Sequence, residues 1–416
     1  MKIQFNNHSS ITIYNDNIGL LMDPWLSGKV FNNSWELISK TSDNFSLENI
    51  THIWYSHEHP DHFYPPFLIN INNNFKENIT ILYKKTRDKK VINFCKKLGF
   101  KEIIEIDYNS EFKLSNDFFI TINKFDHDSS ILVRSKNFKL LNMNDCITSK
   151  RLLNKKYKNL NNIDVLLSQF SYASLNGKPF DKKSREKSAL QQFHQLKDQI
   201  NKFNPKAIIP FASLIRFSNM ENAYGNDSIN NIEDVYNYIL KLNRSPLIMY
   251  PGDTYNLNDK IENQSALFKY NQDYDKIQKR LPDIPKKVDF ESLKISAKSY
   301  IERAKKFNLL LLFWIKIFPL KFFIYDLNLK CKISLGNGLT LINHKKNYDV
   351  ELGSESLNFI LKFDYGFDTT LVNGRYKIKD SKSKALFTRY ATISNLINHN
   401  ESLILRIFLK LFNLFR

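Results

Sequence analysis

The sequence predicts an α/β fold in which buried strands carry polar side chains to loops at their ends. Three observations support this prediction. The apolar-rich run 50–56 ends directly in a dense polar cluster at 57–62. Residues 78–106 alternate strand, helix and strand, which is typical of a sheet covered by helices. A later strand, at 118–122, is also followed closely by a histidine.

Taken in order, the chain offers mainly strands at first and helices later. β-branched and aromatic runs bounded by polar or turn-forming residues predict strands at 11–14, 19–23, 50–56, 79–83, 103–106, 118–122, 131–133, 138–141, 164–169, 205–213 and 246–250. The polar turn at 15–17 joins the first two as a hairpin. A helix is predicted to end near Gly99, and another from 188 to 200. Apolar residues recur at helical spacing within 290–304, and Asp289 precedes them as a possible N-cap, so a helix is predicted here.

The cluster His57-Glu58-His59-Pro60-Asp61-His62 predicts a metal site. Side chains two apart on an extended backbone point the same way, so His57 and His59 can bind one ion. Asp61 and His62 are then offered to a second ion beside it. A catalytic zinc takes three protein ligands and keeps one position open for chemistry. A lone histidine is often just a polar residue in contact with solvent, but four possible ligands among six residues would require several coincidences.

This cluster resembles the principal signature of the metallo-β-lactamase superfamily. The loop Asp23-Pro24-Trp25-Leu26 after the first hairpin narrows the resemblance. It is similar to the branch of CMP-N-acetylneuraminate hydroxylase-like proteins and N-acyl-phosphatidylethanolamine phospholipase D. The resemblance covers about the first 260 residues and implies an αββα sandwich. It also implies that Asp23 lies near the metals, although a simple turn residue before proline is the alternative.

The resemblance implies further ligands. In the family, the third histidine of one metal site and a bridging aspartate occupy the positions of His127 and Asp145. Asp61 and Asp145 would then orient a metal-activated water and accept its proton. Where relatives often place the last histidine of the second site, this chain has Asn219. An amide is a weaker ligand, so the second ion would bind weakly, be absent, or be held by Glu221.

The loop after the strand at 164–169 supplies candidate substrate contacts. Binding groups collect on loops held by a rigid scaffold, and this loop carries Gln169 and Tyr172. Packing is the alternative role for Tyr172, because its neighbours are mostly apolar.

Composition sets limits on compartment and partners. The net charge of +19 favours phosphates or an anionic membrane surface, but the lysines are scattered, so no specific nucleic-acid partner is predicted. We expect a small-molecule or lipid-linked anionic substrate. Three distant cysteines give neither a disulfide framework nor a cysteine zinc site. With no secretory signal and no apolar run of about 20 residues, we expect a cytoplasmic protein.

Four segments are predicted along the chain. They are a catalytic domain (1–260), a helical connector (261–308), a small α+β domain with a weak resemblance to sterol-carrier-like domains (309–385), and an amphipathic helical tail (386–416). Ser402, Arg406, Lys410, Asn413 and Arg416 form one polar stripe on the otherwise apolar tail. The tail either docks on the protein or contacts the inner face of an anionic membrane.

These observations predict a metal-dependent hydrolase that uses a metal-activated water. Its substrate would be a phosphodiester, a nucleotide sugar or a phospholipid, and its cofactor one or two zinc ions. The alternative is a non-haem iron oxygenase resembling the CMP-sialic acid hydroxylases. That enzyme would need an external electron donor, because the chain lacks the paired Cys and His of a Rieske cluster. A non-catalytic protein that binds a membrane surface is a third alternative, motivated by Asn219 and the tail.

Overall fold

The computed structural model describes residues 1–125, 128–257, 259–307, 309–345 and 347–398. The strands are β1 (Lys2–Asn7), β2 (Ser10–Asn15), β3 (Ile18–Met22), β4 (Trp35–Leu37), β5 (His52–Tyr55), β6 (Thr80–Lys84), β7 (Glu102–Ile106), β8 (Glu111–Ser115), β9 (Phe118–Phe125), β10 (Asp128–Ser135), β11 (Phe138–Asn142), β12 (Val165–Gln169), β13 (Ala207–Phe211), β14 (Ile215–Phe217), β15 (Thr254–Asn256), β16 (Lys321–Ile324), β17 (Leu329–Ser334), β18 (Gly338–Leu341), β19 (Val350–Leu352) and β20 (Lys377–Ile378). The helices are α1 (Pro65–Asn70), α2 (Asn73–Lys76), α3 (Lys90–Lys97), α4 (Lys150–Lys156), α5 (Lys182–Phe203), α6 (Ile232–Lys241), α7 (Gln264–Gln278), α8 (Phe290–Phe307), α9 (Leu309–Ile317), α10 (Ser354–Lys362), α11 (Gly366–Asn373) and α12 (Ser381–Asn398), with a 3₁₀ helix at Ala223–Ser228.

Two sheets face each other across the main core. One has the strand order β15-β1-β2-β3-β5-β6-β7 and the other β13-β12-β11-β10-β9-β8. Apolar side chains of both sheets, such as Ile13 and Trp54 from the first and Ile120 and Leu166 from the second, belong to one buried cluster. Their removal from water is the main favourable term holding the two sheets together.

Helices cover the outer faces of both sheets. Ile53 and Tyr83 of the first sheet pack with Leu68 of α1 and Ile92 of α3. In the second sheet every residue of β12 is buried, which requires cover on both faces, and α5 contacts this strand. The predicted αββα sandwich is therefore confirmed.

Near both ends of the first 260 residues, the structure differs from the predicted strands. The structure adds strand β1, paired with β2 and β15, where the polar appearance of the first ten residues hid the alternation of Ile3 and Phe5. The predicted strand at 246–250 is reduced to a single bridge between Pro246 and Ile208. Proline has no N–H to donate to a neighbouring strand. The hydrogen bonds with Ile208 are instead made by the residues on either side of Pro246, which are Ser245 and Leu247.

A second core lies beyond residue 289, and we call residues 290–398 the C-terminal unit. Its sheet has the order β18-β17-β16-β19-β20. Apolar side chains of this sheet and of α8, α10, α11 and α12 form one buried cluster. Helix α7 instead packs into the first core through Tyr270, so the segment predicted as a connector divides between the two cores. Among the described helices, none is long and apolar enough to cross a membrane.

The tail lies largely outside the described residues. Helix α12 ends at Asn398, so the polar stripe from Ser402 to Arg416 stays a prediction. The apolar run at 309–319 forms helix α9, with Ile315 buried and Phe313 exposed.

A buried charge network joins the C-terminal unit to the rest of the protein. Arg375, which is completely buried, donates from Nε to Glu221 Oε2 at 2.6 Å and from Nη2 to Glu355 Oε2 at 2.6 Å. Its Nη1 donates to the carbonyl of Asn32 at 2.7 Å. Arg375 thus binds three segments that are far apart in sequence.

Candidate metal centre

Parallel strands bring the predicted ligands to one edge of the first sheet. Strand β3 lies parallel to β5, so the residues that follow each strand meet at the same edge. Asp23 follows β3, and its N–H donates to the carbonyl of Trp54 at 3.0 Å. After β5 the chain turns tightly, with the N–H groups of His62 and Phe63 both donating to the carbonyl of His59. This turn folds the cluster at 57–62 back on itself.

Among the described residues, two groups of side chains are close enough to hold a metal ion. His57, His62 and Asp145 form one, and His8, Asp61 and His62 form the other. His62 Nε2 lies 3.3 Å from Asp145 Oδ2 and 3.5 Å from Asp61 Oδ2. Two ligand atoms on one tetrahedral zinc are about 3.3 Å apart, given metal–ligand distances near 2.0 Å. The spacing therefore suits a shared ion.

Carboxylates occupy the second ring nitrogen of two histidines. His62 Nδ1 lies 2.9 Å from Asp23 Oδ2, and Asp23 also accepts the N–H and the hydroxyl of Ser56 at 2.8 and 2.7 Å. His57 Nδ1 lies 3.2 Å from Asp128 Oδ1. A carboxylate on one nitrogen fixes the ring and leaves the other nitrogen for a metal. Asp23 therefore lies directly beside the predicted ligand His62.

His59 is oriented differently. Its ring centroid lies 4.5 Å from that of His57, but His59 belongs to neither group of possible ligands among the described residues. Its Nε2 lies 3.6 Å from Asp368 Oδ2 of the C-terminal unit. Burial lowers the pKa of His59, but the nearby carboxylate of Asp368 outweighs this and raises the pKa to about 9.

Burial and neighbouring charges shift the pKa values of the residues in the cluster in different directions. Burial and the positive charges of His62 and His59 lower the pKa of His57. Burial disfavours the charged form of His62, but Asp145, Asp61 and Asp23 raise its pKa well above the usual value. Burial likewise opposes ionisation of Asp61, yet the charge of His62 and the hydrogen bond with His8 hold the pKa of this carboxyl below its usual value. A metal cation bound here would displace protons from the histidines and neutralise the negative charge of the carboxylates in their place.

Buried polar atoms without hydrogen-bond partners indicate whether a metal ion fits the site. His62 Nε2, Asp61 Oδ1 and Asp145 Oδ1 are buried and have no hydrogen-bond partner among the described residues. A buried polar atom without a partner costs about 1–3 kcal/mol, and more if it is charged. Imidazole nitrogen and carboxylate oxygen are ligands of zinc and of iron. The residues present therefore fit a divalent ion, with His57, His62, Asp61 and Asp145 available to hold it.

His8 is a site residue that the sequence did not identify. Its Nδ1 accepts the N–H of Leu214 at 3.2 Å, so the ring proton lies on Nε2. That nitrogen faces Asp61 Oδ2 at 3.5 Å. His8 is thus suited to hold Asp61 rather than to bind the ion. It lies in the turn between β1 and β2, and no local pattern marked it because β1 itself was not predicted.

The two residues considered for the second ion have other contacts. The carboxylate of Glu221 accepts from Arg375 and from the N–H of Gly353 at 2.9 Å, and it belongs to neither ligand group among the described residues. Asn219 is buried, and its Oδ1 accepts the N–H of Glu221 at 3.0 Å. Glu221 therefore links the C-terminal unit to the rest of the protein.

The remaining predicted site residues are Gln169, Tyr172 and His127. Gln169 is buried, and its Oε1 has no hydrogen-bond partner among the described residues. The Tyr172 hydroxyl donates to the carbonyl of Gly225 at 2.5 Å, and its ring stacks on Phe217, which is a packing role. His127 lies outside the described residues.

Asp23→Asn is expected to weaken metal binding about 10–100-fold, the usual cost of removing a carboxylate behind a histidine ligand. Asparagine keeps the size of the side chain and tolerates the positive φ of 40° at this position. The measurement is competition with a chromophoric chelator. Asp16→Asn, at an exposed turn with φ of 48°, is the matched control and should leave the affinity unchanged.

Comparison with known proteins gives distant similarities to solved structures. No family model matches the chain, and no curated protein matches it. A possible metal-dependent hydrolase from Veillonella parvula is 13% identical, with a TM-score of 0.46 over 61% of this chain and 98% of that one. The metallo-β-lactamase fold protein YhfI from Bacillus subtilis is 12% identical, with a TM-score of 0.39 over 61% and 99%.

A mutant of the β-hydroxylase CmlA is 15% identical, with a TM-score of 0.45 over 61% of this chain and 53% of that one. The present chain thus spans about half the length of that hydroxylase. Similarities this distant carry no functional argument for this chain. The narrower resemblance to the branch of hydroxylase-like proteins and phospholipase D stays a prediction.

Proposed function

We propose that this protein is a metal-dependent hydrolase acting on an anionic substrate. The observation that carries the proposal is the convergence of His57, His62, Asp61 and Asp145. The last three have buried ligand atoms without a hydrogen-bond partner among the described residues. A divalent ion bound there, with zinc as the first candidate, would supply a Lewis acid and a nucleophile at neutral pH.

The two aspartates are suited to different tasks. The Asp61 side chain is 3% exposed and faces His8 and His62, so it would hold the ion and neutralise part of its charge. The Asp145 side chain is 22% exposed, so it is the carboxylate that a substrate can approach. We assign to Asp145 the acceptance of the proton that the nucleophile releases. General-base catalysis of this kind contributes about 10²–10⁴-fold.

The substrate class follows from charge. A net charge of +19 raises the local concentration of anions and their rate of association. A phosphodiester, a nucleotide sugar or a phospholipid head group supplies an anionic oxygen for the ion to polarise. Gln169, with its free acceptor, is the candidate contact for a substrate N–H or O–H group.

The proposal is tested by hydrolysis of bis(p-nitrophenyl) phosphate, followed by nucleotide-sugar and phospholipid substrates, with zinc-loaded full-length protein. We expect activity in the parent and a loss of about 10²–10⁴-fold in Asp145→Asn. Asp275→Asn, an exposed carboxylate on α7, should retain full activity. Equal rates in the parent, Asp145→Asn and a zinc-free sample would contradict the proposal.

An iron oxygenase is the second candidate. His57, His62 and Asp145 form a set of two histidines and one carboxylate, which is the ligand set of non-haem iron oxygenases. Oxygen consumption by the iron-loaded protein with an external electron donor tests this candidate. Stoichiometric iron together with oxygen uptake would favour it over the hydrolase.

A further inference from the structure

Three carboxylates from three parts of the chain face the histidines of the cluster. Asp23 follows β3 and faces His62, and Asp128 begins β10 and faces His57. The carboxylate facing His59 is Asp368, which lies in the first turn of α11 in the C-terminal unit. The first two carboxylates belong to the αββα sandwich, and the third does not.

Contacts at both ends of α11 hold Asp368 in place. At its start, Asn395 of α12 donates to Asp368 Oδ1 at 3.2 Å, which leaves Oδ2 towards His59. At its end, Asn373 donates to the carbonyl of Phe31 at 3.0 Å, and Arg375 follows with its buried ion pairs. The helix is therefore fixed against the same part of the protein that carries the ligands.

We infer that Asp368 is a positioning residue for His59, and that the C-terminal unit is therefore a structural part of the metal centre. This inference rests on the proposed metal site. The Asp368 carboxylate lies 3.6 Å from His59 Nε2, so it favours a proton on this nitrogen and leaves Nδ1 as the ring nitrogen available to an ion. His57 and His62 are held in the opposite sense, with their Nδ1 atoms on carboxylates. His59 belongs to neither ligand group among the described residues, and Asp368 holds it beside the ligands, with its ring centroid 4.5 Å from that of His57.

Asp368 is important because His59, which it contacts, lies at the opening of the site. The His59 side chain is 39% exposed, whereas those of His57 and His62 are 4% and 0% exposed. Deep burial and their own carboxylates hold the rings of His57 and His62. The more exposed His59 ring meets Phe31 edge-on, with the ring centroids 5.9 Å apart. Asp368 adds a charged partner from α11 that fixes the orientation of this ring.

The test is cobalt binding to the full-length, metal-free protein, followed by visible absorption and by competition with a chelator. We expect Asp368→Asn to weaken binding about 10–100-fold and to change the spectrum of the cobalt-saturated protein, because the His59 ring is no longer held. Asp368→Glu keeps the charge and should recover most of the affinity. Glu351→Gln, which removes an exposed ion pair with Lys377 in the same unit, should bind as the parent does.

The outcomes separate the two proposals. A parent protein that binds no cobalt contradicts the metal site itself. A parent that binds cobalt, with an unchanged dissociation constant and spectrum in Asp368→Asn, overturns the role of Asp368 alone. Weaker binding with an unchanged saturated spectrum and a lower melting temperature of the metal-free variant would mean a purely structural role, and this also overturns the inference.

Discussion

Arg375→Ala is expected to lower the free energy of unfolding by about 3–5 kcal/mol, the usual cost of removing one partner from a buried ion pair. Arg375 is completely buried, and the side chains of Glu221 and Glu355 that it binds are only 8% and 16% exposed. Its removal leaves two carboxylates without their cation and the carbonyl of Asn32 without its donor. Because Arg375 joins the two cores, we expect the C-terminal unit to detach first.

Urea unfolding and limited proteolysis measure this effect. The C-terminal unit of Arg375→Ala should be cleaved at concentrations of protease that leave the parent intact. Lys377→Ala, two residues away, is the control, because its ion pair with Glu351 is exposed and exposed pairs contribute at most about 1 kcal/mol. Equal stability of the two variants would contradict a network that holds the two cores together.

His62→Ala is expected to reduce turnover about 10³-fold or more. His62 is the residue shared by both ligand groups among the described residues, and its ring lies between Asp23 on one side and Asp61 and Asp145 on the other. Each tenfold in rate corresponds to about 1.4 kcal/mol, and a bound metal contributes several kcal/mol of transition-state stabilisation. Losing the ion therefore removes at least three powers of ten.

The measurement is steady-state hydrolysis at saturating zinc, with the substrate on which the parent is most active. His194→Ala is the matched control, because His194 is exposed on α5 and belongs to neither ligand group among the described residues. It should keep the activity of the parent. Activity of His62→Ala within about tenfold of the parent would exclude a metal centre built on this residue, given the size of the expected effect.

The part of the site that lies in one short stretch could be predicted from the sequence. His57, Asp61 and His62 follow a single strand, so the alternation of that strand and the density of ligand-type residues identify them without further information. The helix-covered α/β sheets could be predicted for a similar reason, whereas the pairing of two such sheets was implied by the family resemblance. Each strand carries its own pattern, and parallel strands joined by helices form covered sheets.

Contacts between distant residues could not be predicted. Asp368 meets His59, and Arg375 meets Glu221, across long stretches of chain. Nothing in the immediate neighbourhood of either residue indicates its partner. Glu221 was considered as a metal ligand because an acidic residue near Asn219 fits that role locally. Its carboxylate instead binds the C-terminal unit, a choice that only tertiary packing determines.

Metal content is the most direct test of the central claim, which is that His57, His62, Asp61 and Asp145 form a metal centre. Elemental analysis of the purified full-length protein would count zinc and iron per chain in the parent and in His57→Ala. We predict stoichiometric metal in the parent and a marked loss in the variant, with zinc supporting the hydrolase and iron the oxygenase. A parent protein without stoichiometric metal, even after incubation with either ion, would contradict the claim.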